Sequence, residues 1–120
     1  MRNFRDFEIY HEAIDLVKDI YQVALLLPAD ERYGLISQMK RCAVSIPSNI
    51  AEGSRGSNKE LIYFLNISMG SSFELETQLD IANKLNMLEK SDTEKIFEKI
   101  NALQRRINAF KKSVRNSWLG

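Results

Sequence analysis

The sequence predicts an all-α chain, one domain over residues 1–120 folded as an up-down-up-down antiparallel four-helix bundle. Three observations carry this. Four segments repeat apolar residues at steps of three and four, the period of a helix face. The breaks between them are a few residues long, which sets successive helices antiparallel. Five Gly and two Pro among 120 residues leave little material for the turns that many short strands would need. The length fits one compact domain, and 44% hydrophobic with 28% charged residues is an ordinary globular composition.

In the first helix, Phe7, Tyr10, Ile14, Val17, Tyr21, Ala24 and Leu25 share one face, read as the core face. Pro28 closes that helix, and "PADER" makes a tight connection. The second helix is expected from Asp30 or Glu31 to Gly53, with Gly53 and Gly56 bracketing the next loop. It runs through Pro47, which lacks a backbone N–H and crowds the carbonyl four residues back. Ile36, Met39, Cys42, Ala43, Ile46 and Ile50 nevertheless hold one face on both sides of it, so a bend is expected there and not a stop. Arg41, Ser45, Ser48 and Glu52 take the opposite face, with Gln38 and Asn49 on its shoulder. "SIPSNIAEG" therefore reads as a structural motif of Ser45, Pro47, Asn49, Glu52 and Gly53, its polar groups satisfying loosened backbone, the Ala43 carbonyl first. The functional alternative, Arg41, Ser45 and Asn49 gripping a phosphate or a partner, has less support from residue types.

The third helix opens on a capping box, Ser57 with Glu60 three residues on, and is expected to reach about Leu88. Leu61, Leu65, Ser68, Ser72, Leu75, Leu79 and Ala82 form a heptad seam. Phe64, Ile67, Ser71, Gln78 and Leu85 extend the apolar surface beyond one stripe, and "SMGSS" admits close approach of another backbone. A helix apolar over most of its circumference has to be buried somewhere, so a second subunit is expected against this one. The fourth helix opens on a second capping box, Ser91 to Glu94, and carries Ile96, Ile100, Leu103, Ile107, Phe110 and Val114.

Catalytic sets are missing. The single His11 cannot supply the paired Glu-x-x-His motifs of a di-iron bundle, and no Cys/His cluster exists for zinc. Cys42, the one cysteine, lies on the apolar face of its helix and reads as a buried structural thiol. Glu74 and Glu76 point apart. "EGSRGSNK" follows a helix, not a strand, and fails the phosphate-loop context. No enzyme activity, cofactor or metal is expected. No apolar run approaches the roughly 18 residues of a membrane span, and the acid-rich start has no apolar leader, so the expectation is a cytoplasmic protein with no membrane contact.

Charge is uneven along the chain. Residues 1–30 carry three basic and six acidic side chains, and residues 91–120 carry seven and three. Past Glu98 the fourth helix holds Lys99, Arg105, Arg106, Lys111, Lys112 and Arg115; Lys40, Arg41, Arg55 and Lys59 form a second group around the loop between helices two and three. Such surfaces attract polyanions, although cations near a helix C-terminus also favour its dipole. Trp118 could cap the bundle or stack on a ligand.

Over nearly its whole length the chain resembles a known family. "SIPSNIAEG", the preceding "QMKR", "GSSFELETQLDIA" (Gly70 to Ala82) and the "LPADERYGL" link are similar to the bacterial proteins encoded in intervening sequences of 23S ribosomal RNA genes, also labelled S23 ribosomal protein. Two departures stand out: Tyr10-His11 where a Trp is common, and Cys42 where Ala is usual. The resemblance implies a four-helix bundle assembled as a ring-like homopentamer. It also implies kinship with the accessory variability protein of diversity-generating retroelements, a basic pentameric barrel that binds nucleic acid and a reverse transcriptase. The functional expectation is thus a non-enzymatic oligomer that binds RNA or DNA, within a ribonucleoprotein. The alternative is a protein-interaction scaffold with no nucleic-acid role.

Overall fold

The computed structural model describes residues 2–119, apart from the side chains of Trp118 and Leu119. Its main elements are α1 (Glu8–Ala24), α2 (Leu35–Ser54), α3 (Asn58–Lys84) and α4 (Lys90–Leu119), and among the described residues there is no strand. Each helix packs on its two neighbours around a square, α1 on α2 and α4, and α3 on α2 and α4, within a body of 50 × 23 × 19 Å. The expected four-helix bundle is the fold.

The antiparallel order is visible in the rungs between helices. Ser45 of α2 meets Ser71 of α3 at 2.8 Å, and Cys42 receives the Gln78 amide at 3.3 Å. Asn83 of α3 donates to Thr93 of α4 at 2.9 Å, and Lys111 donates to Asn66 at 2.8 Å. Leu16, Ile20, Met39, Ile46, Ile50, Leu61, Leu65, Leu75, Leu79, Ile100, Leu103 and Ile107 fill the centre and are fully buried. The heptad seam of α3 and the apolar stripe of α4 therefore face inward as their spacing predicts.

The first helix does so only in part: Ala24 is buried, and Phe7, Tyr10 and Val17 pack partly buried against the core. Its core residues are Ile9, Ala13, Leu16, Ile20, Val23 and Ala24, whereas Ile14, Tyr21 and Leu25 are exposed, Leu25 at 82%. This helix carries two adjacent apolar stripes, and periodicity finds both without saying which one the bundle covers. Other boundaries shift too. Residues Ala29–Glu31 form a 3-10 turn, and α2 starts at Leu35, whose N–H donates to Glu31 Oε1 at 3.2 Å. The Ser57–Glu60 capping box of α3 is present, but α3 ends at Lys84, followed by Asn86 at φ 60°. Helix α4 begins at Lys90, ahead of the expected Ser91 cap, and Asp92 in its first turn accepts from the Glu89 N–H at 2.9 Å.

Helix α2 continues through Pro47 as one helical run. The polar residues around it bond to carbonyls four residues back: Ser48 Oγ donates to Val44 at 2.8 Å and Asn49 Nδ2 to Ser45 at 2.8 Å. The repair is of the expected kind, but it acts on Val44 and Ser45, not Ala43. Ser45 also turns toward α3, with Asn49 Nδ2 3.0 Å from its hydroxyl, while Pro47 is buried toward α1. Glu52 stays exposed. Gly53 lies inside the helix, and a β-carbon there would sit 2.8 Å from Phe64 Cβ and 3.3 Å from Leu61 Cα. Its small size lets α2 and α3 converge.

Candidate nucleic-acid interface

Antiparallel packing decides which cations end up together. The α2–α3 turn, the start of α1 and the C-terminal part of α4 share one end of the bundle. Arg2 Nη1 donates to the Gly56 carbonyl at 3.3 Å, tying the start of the chain to that turn. Phe7, just before α1, stacks at 4.8 Å between ring centres on Phe110 of α4. The Lys111–Asn66 bond fixes the register of α4 on α3; from it, the C-terminal turns of α4 run level with the first turns of α3. Arg55 and Lys59 from the turn therefore share an end with Lys111, Lys112 and Arg115. Cations from two groups that stand far apart in the sequence thus share one end of the bundle, and Arg2, which sequence reasoning passed over, joins them there.

The remaining candidates lie elsewhere. Lys40 sits 15 residues before Arg55 on α2, about 22 Å along the axis at 1.5 Å per residue, with its ammonium 4.7 Å over the Tyr21 ring. Arg41 is exposed one residue on, in the same half of α2. Arg106 is spent on an ion pair with Glu12 of α1. Arg105, one residue away, is exposed part-way along α4, above the cluster. Lys99 is held by Asp19 at 2.6 Å and Asp15 at 2.9 Å. The charge asymmetry between the two chain ends is thus partly internal, because acids of α1 pair with Lys99 and Arg106 of α4. Among the described residues these are the ion pairs, and none involves the cluster.

The pairing appears in the protonation equilibria. The hydrogen bond and the charge of Lys99 hold the Asp15 carboxyl below the ordinary carboxylate range. The hydrogen bonds that Lys99 donates to Asp19 and Asp15 hold its ammonium above its ordinary value.

Cys42 is half-buried at the α2–α3 seam and is not a core residue. Gln78 Nε2 donates to its sulfur, and the thiol faces Glu74 Oε2 at 3.7 Å. Burial first, then the Glu74 charge, pushes this thiol up, against nucleophile chemistry. Glu76 points the other way and accepts from Gln104 of α4 at 2.9 Å. Among the described residues no group of three His, Cys, Asp or Glu side chains converges to hold a metal, and no helix is long and apolar enough to cross a membrane. Trp118 lies outside the described side chains.

Compared with known proteins, residues 5–109 match the family model described as 23S rRNA-intervening sequence protein. No curated protein matches the chain.

Proposed function

The chain belongs to the 23S rRNA-intervening sequence protein family, and from that premise we infer that it is a non-enzymatic, self-assembling bundle that binds nucleic acid through its basic end. The observation that carries this reading is the convergence of Arg55, Lys59, Lys112 and Arg115 on one end of the bundle, outside the ion pairs that absorb Lys99 and Arg106. A compact cationic end suits phosphates, which neutralise charge without demanding a shaped pocket. Assembly in parallel would set several such ends side by side. RNA is the favoured partner, given the family to which the chain belongs.

Fluorescence anisotropy with structured RNA and with duplex DNA across a salt series tests the reading. Wild-type affinity should fall steeply with salt. Replacing Arg55, Lys59, Lys112 and Arg115 with Ser should remove most of the binding and flatten the slope by about 0.7–0.9 for each phosphate no longer neutralised. A control carrying Lys40→Ser and Arg41→Ser should bind like wild type. Salt-independent binding, or loss confined to the control, would sink the assignment. No binding at low salt would leave the scaffold reading, whose support is the exposed apolar stripe of α3, with Tyr63 at 62%.

A further inference from the structure

At the end of the bundle opposite the basic cluster, a cleft of about 640 Å³ opens between the last turns of α3 and the first turns of α4. That volume lies within the range of small-molecule sites, about 300–1,000 Å³. The Asn83–Thr93 rung crosses the cleft at 2.9 Å, with Thr93 buried and Phe97 half-buried one turn further along α4.

Charge is sorted along this cleft. Asp80 and Lys84 line it from α3, Lys90 and Glu94 from α4, and all four are exposed. Counted from the rung, Lys84 and Lys90 stand nearer the α3–α4 turn, while Asp80, Glu94 and Phe97 stand deeper. Each helix therefore offers a base toward the turn and an acid four residues further in, about 6 Å along the axis. Acid and base at that spacing on one helix commonly pair. Among the described residues, however, neither Asp80 with Lys84 nor Lys90 with Glu94 closes into an ion pair.

A second observation is independent of charge. The Asn83 amide donates to Thr93 Oγ1, which donates in turn to the Lys90 carbonyl at 3.4 Å. Oδ1 of the same amide is buried and has no donor among the described residues. A buried acceptor without a donor carries a desolvation cost that nothing offsets. An N–H group arriving in the cleft beside Asn83 would offset it.

We propose that this cleft binds a small zwitterion with an apolar side chain, an amino acid of the leucine, methionine or phenylalanine kind. Its ammonium sits between Asp80 and Glu94, toward Asn83, its carboxylate lies between Lys84 and Lys90, and its side chain rests on Phe97. A phosphate ester would meet two acids beside the lysines, and a simple amine would leave both lysines unanswered. The zwitterion answers both pairs at once. This site lies away from the basic cluster and is independent of the nucleic-acid reading.

Proton–nitrogen NMR of the full chain, titrated with L-leucine, L-methionine and L-phenylalanine to about 20 mM, tests this. Ligands of roughly ten non-hydrogen atoms are expected to bind in the millimolar range. At least one should shift the Asn83 side-chain amide and the Thr93 and Phe97 resonances saturably. Analogues of that amino acid lacking one charged group, for phenylalanine phenylpropionate and phenylethylamine, should bind about tenfold more weakly. Asp80→Asn with Glu94→Gln should abolish the preference over the analogue without an ammonium. Lys84→Gln with Lys90→Gln should abolish the preference over the analogue without a carboxylate. Circular dichroism should show both variants folded, because all four side chains are exposed. Were these residues to act only on helix stability, melting temperatures would move and neither preference would. Absent or unsaturable shifts, analogues that bind as well as the amino acid, or preferences untouched by both double variants overturn the site. None of these outcomes bears on RNA binding by the basic end.

Discussion

Where α2 meets α3, Gly53 leaves no room for a β-carbon and the Ser68 hydroxyl donates directly to the Ile46 carbonyl at 2.9 Å. Where α1 meets α4, Phe7 and Phe110 fill the gap, and the polar contacts are ion pairs at the solvent rim. The first seam is held by shape and buried hydrogen bonds, both intolerant of change. The second is held by aromatic area, with charges that water screens. Close approach and buried polar groups specify which helices pair and in what register. Rim charges chiefly decide which cations remain available to a partner.

Four substitutions probe that contrast. Gly53→Val should do most damage, because the new side chain collides with Leu61 backbone as well as Phe64; about 3 kcal/mol or more of stability should be lost in urea unfolding. Phe110→Ala opens the opposite seam and should cost about 2 kcal/mol, since the ring is half-buried. Ser68→Ala removes one buried donor and should cost about 1 kcal/mol. Lys99→Ala should cost about 0.5 kcal/mol or less, and its effect should depend on pH. Asp15 is held below its ordinary value, so the pair contributes at neutral pH and is lost as pH falls through that carboxyl's range. Lys99 is held above its ordinary value, so on the alkaline side the contribution persists until pH rises past the usual lysine range near about 10.4. Thermal melts of wild type and Lys99→Ala should therefore converge in strong acid. A rim substitution as costly as Gly53→Val would erase the distinction between the seams.

Much of the fold is legible in the sequence. The inner seam of α3, the stripe of α4 and the Ser57 capping box each have one strong pattern and no competitor. Legibility fails where two patterns compete. In α1, Tyr10, Ile14, Val17 and Tyr21 repeat as regularly as Ile9, Ala13, Leu16 and Ile20, and the bundle covers the second series while leaving Ile14 and Tyr21 of the first exposed. Ser45 looks like a solvent-facing polar residue because a sequence shows no Ser71 of α3 waiting to bond it. Cys42 looks apolar until Glu74 and Gln78 close over its edge. For the candidate interface, residue types name the cations but not their company. Only antiparallel packing shows that Arg106 meets Glu12 while Arg115 runs past the acids of α1 to join Arg55.

The doubled spacing of α3 has a consequence for how this chain can vary. Its inner series is fixed by the core, and the outer one is exposed in a lone molecule, so nearly every turn carries apolar residues on both sides. Ile67 and Ile81 are 36% and 43% exposed, so a change at either costs the lone chain less than one in the inner series. The cost emerges with abundance: scarce chains tolerate an altered outer series, and crowded ones reveal it as adhesion to the wrong surface. α3 thus answers to two demands at once, the core on one side and the cost of exposed apolar surface on the other.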